Sequence, residues 1–142
     1  MPGRCRDDFG RWRGGLQECR IQIEGQSGWL CRQLVVVQTS DQVLSLRFLK
    51  NREDRQGNQQ LQLIGTMPAG EGLDCNPNGC SLTPRLQLMV TGLATMQFDG
   101  RGLARTTPTG AVAKGQCQWR QRQLRCQFQV RQGAKGTIQA SL

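Results

Sequence analysis

Short runs in which apolar residues alternate with Gln, Arg or Thr recur along the chain, separated by Gly, Pro, Asn and Asp. Alternation is the period of a β-strand buried on one face and wet on the other, and no stretch sustains helical periodicity. Cys19 to Glu24 (CRIQIE) alternates and leads into a Gly-Gln-Ser-Gly turn at 25–28. Residues 29–38 (WLCRQLVVVQ) are longer and more apolar, as expected of a central strand. Val43 to Lys50 places Leu44, Leu46 and Phe48 on one face, ahead of a charged, turn-rich loop at 51–58. Short alternating segments follow at 60–65, 85–91 and 95–99, then a hairpin over 116–131 and a last strand at 137–142.

This spacing predicts an all-β protein, a single antiparallel β-sandwich or barrel of about eight short strands. Residues 1–18, rich in Arg and Gly and weak in pattern, read as a basic N-terminal arm or edge segment, and 19–142 as one β domain. The 66–84 stretch has too many prolines and glycines for regular structure and reads as a surface loop.

The clearest local structure is 117–130 (CQWRQRQLRCQFQV). A turn centred on Gln121 and Arg122 sets Cys117 opposite Cys126 and Trp119 opposite Leu124. Leu124, Cys126, Phe128 and Val130 then share one face, while Arg120, Arg125, Gln118, Gln127 and Gln129 share the other. Opposed Cα atoms in an antiparallel pair lie about 4.5 to 5.5 Å apart, within reach of a disulfide.

The chain has 7 cysteines and no histidine. Six form close sequence pairs, Cys19 with Cys31, Cys75 with Cys80 and Cys117 with Cys126, and predict a disulfide-stapled domain. Cys75-Asn-Pro-Asn-Gly-Cys80 suits a closed tight turn. The pair Cys19 and Cys31 is harder to place: a turn centred between Gln26 and Ser27 puts Cys31 opposite Gln22, so that bond needs a sheet-to-sheet contact or another partner such as Cys5.

Catalysis has little to work with. Without imidazole there is no Ser-His or Cys-His pair, and no Cys-x-x-Cys redox motif occurs, so the expectation is a protein that is not an enzyme. No cofactor is expected. Asp74-x-Asn76-x-Asn78-Gly79 opens like a calcium loop, but Arg85 stands where the twelfth-position Glu belongs. Four thiolates from Cys75, Cys80, Cys117 and Cys126 match a zinc set in number, yet their spacings are loose for zinc knuckles.

Net charge is +9, with 19 basic and 10 acidic residues, and favours contact with polyanions. Arg120, Arg125 and Arg131 are the candidate anion-binding face, with Arg47 as its extension. The expected partner is an acidic macromolecule or an envelope protein. Nucleic acid is the alternative, bound in the cytosol through Arg4, Arg6, Arg11, Arg13 and Trp12. A structural envelope subunit that pairs its edge strands with neighbours is a third reading. No run approaches the roughly twenty apolar residues of a membrane-spanning helix. Cysteine usage points to a periplasmic or extracellular site, whereas the residues MPGRCRDD lack the apolar stretch of a secretory signal; a leader outside this sequence reconciles the two, as does the alternative of a cytoplasmic protein with reduced cysteines.

The order Phe9-Gly10-x-Trp12, Cys19, Cys31-Arg-Gln-Leu-Val-Val-Val-Gln38 and Met67-Pro68-Ala69-Gly70 resembles the N-terminal half of the invasion-associated locus B family. Those are exported bacterial β-sandwich proteins, so the resemblance implies a periplasmic or secreted role without catalysis. It covers about half the chain, and the C-terminal half departs from it.

Overall fold

The computed structural model describes residues 10–51, 58–82, 85–98 and 109–142. Its regular structure is all β: β1 (Gly10–Gly15), β2 (Glu18–Ile23), β3 (Trp29–Leu30), β4 (Gln33–Ser40), β5 (Val43–Leu49), β6 (Asn58–Thr66), β7 (Asp74–Asn76), β8 (Gly79–Ser81), β9 (Arg85–Phe98), β10 (Thr109–Arg120), β11 (Gln123–Val130) and β12 (Lys135–Ser141). Among the described residues twelve strands therefore replace the eight or so expected. Part of the excess is division: β1 with β2, and β3 with β4, are halves of two long strands interrupted at 16–17 and 31–32.

The first long strand closes the sheet. Strands β4, β5, β6, β9, β10, β11 and β12 form an antiparallel meander. At one of its edges β1 pairs with β4, from Gly10 opposite Gln38 to Gly15 opposite Gln33. At the other, β2 pairs with β12, from Glu18 opposite Ser141 to Ile23 opposite Gly136. The crossing is made at two successive amides: the Leu16 N–H donates to the Arg32 carbonyl (2.8 Å) and the Gln17 N–H to the Ser141 carbonyl (2.9 Å). The result is a barrel whose wall has eight staves, the two interrupted strands each counting once. Residues 10–18 are thus largely wall, and residues 1–9 lie outside the described residues.

A barrel of this size is filled by its own side chains. Ile21, Leu34, Val36, Leu46, Phe48, Leu63, Leu88, Leu124 and Ile138 are buried inside it, and Trp12 packs against them. Two segments expected as separate strands, 85–91 and 95–99, are one strand, β9, that runs through Gly92 beside the irregularities in its pairing with β6 and β10. The 66–84 region is not a plain loop either. It holds the β7–β8 hairpin, with Cys75 opposite Cys80. That hairpin packs on β1, where a Cβ at Gly10 would overlap the Cys75 and Cys80 sulfurs. Met67 and Leu73 from the same region are buried in the core.

All three disulfides link directly opposed residues. Cys117 and Cys126 face each other across β10 and β11, inside the barrel. Cys19 and Cys31 are also opposed, contrary to the register inferred from the turn. Ile21 sits opposite Trp29, so the hairpin centres on Gly25, which adopts a positive φ of 79°, not on 26 and 27. The Cys31 N–H donates to the Cys19 carbonyl (3.1 Å), and the two Cα atoms are 5.0 Å apart.

Candidate functional site

The outer wall formed by β2, β11, β12 and the paired stretches 85–90 of β9 and 115–120 of β10 alternates, and its outward positions are mostly Gln, Arg, Lys or Thr. Pairing aligns them in rows. One row runs Gln87, Gln118, Arg125, Gln139, Arg20 and Leu30. The next, toward the β10–β11 turn, runs Arg85, Arg120, Gln123, Ser141 and Glu18. On the opposite side of the first row lie Met89, Gln116, Gln127, Thr137 and Gln22. A further row brings Lys114, Gln129 and Lys135 together, and the Lys135 N–H donates to the Glu24 carboxylate (2.8 Å).

Cations on this wall outnumber carboxylates. Arg20, Arg85, Lys114, Arg120, Arg125 and Lys135 are exposed, against Glu18 and Glu24. Neighbouring strands lie about 4.8 Å apart, and same-face residues along one strand about 6.8 Å, so the charges form a shallow grid rather than a point site. Glutamine amides between them donate and accept without adding charge. The grid suits an extended ligand with repeated anionic groups.

The four arginines singled out from sequence do not all meet. Arg120 and Arg125 share the wall. Arg131 is exposed at the far end of β11, with its N–H bonded to the Val112 carbonyl (2.8 Å), about six residues or roughly 20 Å along the strand from Arg125. Arg47 is elsewhere: it lies on β5 between Val35 and Gln62, four staves from β11, half-buried and with no hydrogen-bond partner at its buried Nε. It does not extend the face. On that side of the barrel the alternation fails, since the outward-facing Val35 and Leu49 are buried. In their place the fold adds Arg20, Arg85, Lys114 and Lys135. Each sits at the polar phase of its own strand, but only the pairing order shows that these strands are neighbours.

The aromatic groups take no part. Among the described residues Trp119, Phe48 and Phe128 are buried, and Trp12 and Trp29 are half-buried against the core. Arg11 and Arg13 point out from β1 while Trp12 between them packs inward. Arg4, Arg6 and Cys5 lie outside the described residues. Of the calcium-like segment, the Asn76 Oδ1 accepts the Asn78 N–H (2.8 Å) and closes the β7–β8 turn. The sulfurs weighed as a zinc set are instead joined within their own pairs. No helix among the described residues is long and apolar enough to cross a membrane.

Comparison with protein-family models, curated proteins and solved structures finds no match to this chain.

Proposed function

We propose that the protein is a non-catalytic, exported β-barrel module that binds an acidic macromolecule through the Arg- and Gln-rich wall of β9–β12 and β2. The observation that carries this is the convergence of Arg20, Arg120 and Arg125 on one exposed wall with a single carboxylate, Glu18, in their two rows. Three disulfides support a location in an oxidising compartment. Nucleic-acid binding through the N-terminal arginines has less support, because Trp12, the described aromatic residue between Arg11 and Arg13, packs inward against the core. Assembly by edge pairing has less support as well, because β4 and β12, the edges of the meander, are both covered by the first strand.

The test is binding to a panel of polyanions as a function of salt. Retention should fall steeply with ionic strength, and the R120Q/R125Q double variant should bind about tenfold more weakly with a shallower salt slope, while R47Q binds as the parent does. No binding to any polyanion at low salt, or equal binding by R120Q/R125Q, would overturn the proposal.

A further inference from the structure

An open cleft of about 860 Å³ lies at the seam where the first strand crosses from β12 to β4. It takes residues from β2, β3, β11 and β12, and the Cys19–Cys31 disulfide, Leu124 and Ala140 contribute to its walls. Its charged side chains are Arg20, Arg32, Arg125 and Glu18. Arg20 and Arg125 stand in one row with Gln139 between them, so their Cα atoms are two strand spacings, roughly 10 Å, apart. Leu30 ends that row and is 63% exposed, the most exposed leucine among the described residues.

Three kinds of polyanion meet this cleft differently. An acidic peptide bound as an added strand needs a long open sheet edge, but β11, β12 and β2 are hydrogen-bonded on both sides and the terminal strand β3 is only two residues long. A nucleic acid strand held without base pairing needs aromatic faces for stacking, and none of the residues lining the cleft is aromatic. An acidic sugar presents anionic substituents, a rim of hydroxyls and an apolar ring face. Those match, in order, the arginines, the amides of Gln123 and Gln139, and the exposed Leu30.

We propose that this cleft is a subsite for one carboxylated or sulfated sugar unit of an acidic polysaccharide that continues along the wall; it rests on the polyanion-binding function proposed above. Arg20 and Arg125 hold the anionic group by charge-assisted hydrogen bonds, Arg32 adds a third cation to the cleft, and Gln139 bonds the hydroxyls between Arg20 and Arg125.

The experiment is calorimetric titration of the full chain with a heparin hexasaccharide and with hexaglutamate at low salt, with folding of each variant checked by thermal unfolding. The hexasaccharide should bind, and more tightly than hexaglutamate. R20Q/R32Q should weaken sugar binding about tenfold, and L30N several-fold. If K114Q/R120Q loses the sugar while R20Q/R32Q and L30N bind as the parent does, the cleft proposal fails and the wall stands. Hexaglutamate binding as tightly as the sugar would assign the cleft to acidic peptide and overturn the proposal. No binding of either ligand would remove both the cleft and the wall.

Discussion

The Leu73 N–H donates to the Oε1 of Gln38 at 2.7 Å, across 35 residues of sequence and in a buried setting. Gln38 is the inward polar residue near the end of β4, and its Nε2 donates to the Ser40 carbonyl (3.1 Å). One side chain thus satisfies a backbone donor of the 67–73 segment and an acceptor at the end of its own strand. This is how the segment that carries Met67 and Leu73 is tied to the barrel.

Replacing Gln38 by Leu orphans a buried N–H, which costs about 1 to 3 kcal/mol. Q38L should lower the urea midpoint at unchanged slope. Hydrogen exchange should speed up at Leu73 and its neighbours more than at Leu124 or Ile138. Uniform exchange across the chain would show that the bond does not hold the segment.

Six cysteines are bonded, so the unreduced, denatured protein should show no more than one titratable thiol per chain, and seven after reduction. Seven thiols without reduction in material from an oxidising compartment would contradict the bonds. By loop closure each disulfide contributes about 2 to 3 kcal/mol. C117A/C126A should cost more than C75A/C80A, because Cys117 and Cys126 also fill the core whereas Cys75 and Cys80 are half-buried. Equal losses in chemical denaturation would remove the packing component.

Gly136 lies opposite Phe128, and a Cβ there would overlap the Phe128 ring. G136V should destabilise by about 1 to 3 kcal/mol through overpacking. The double variant G136V/F128L should recover part of that loss, since smaller bulk across the pair restores space. Strict additivity in a double-mutant cycle would rule out the steric coupling.

Gln121 and Arg122 form the two-residue β10–β11 turn with positive φ at both positions, 51° and 68°. Asn-Gly is the preferred pair in such a turn because side-chain strain is least there. Q121N/R122G should raise stability by about 1 kcal/mol in urea unfolding. A fall in stability would mean that these side chains make contacts outweighing the turn strain.

The hairpin over 117–126 was readable from the chain because everything it needs is local: a strict period of two and a cysteine spacing that fixes the turn. The pair Cys19 and Cys31 is right, but the register around it is not legible, because a four-residue Gly-Gln-Ser-Gly segment allows several turn centres. The one used, at Gly25, is set by how β2 and β3 pair. Strand β1 was hidden because GRWRGG carries one large apolar side chain, Trp12. Likewise TGAVAK, the first half of β10, has only small groups at its inward positions, and the pairing partners make it a strand.

Alternation and cysteine spacing by themselves determined the fold class, the inward face of the 117–130 hairpin and the pairings Cys75–Cys80 and Cys117–Cys126, because period and short-range spacing are properties of a single strand or hairpin. The seam was decided only by the tertiary structure. Which edge meets which depends on the crossing at Leu16 and Gln17, and that crossing brings Arg20 into the same row as Arg125 and leaves Arg47 on the other side of the barrel. Neighbours around a closed wall are fixed by the hydrogen-bond ladder as a whole, which no single strand encodes.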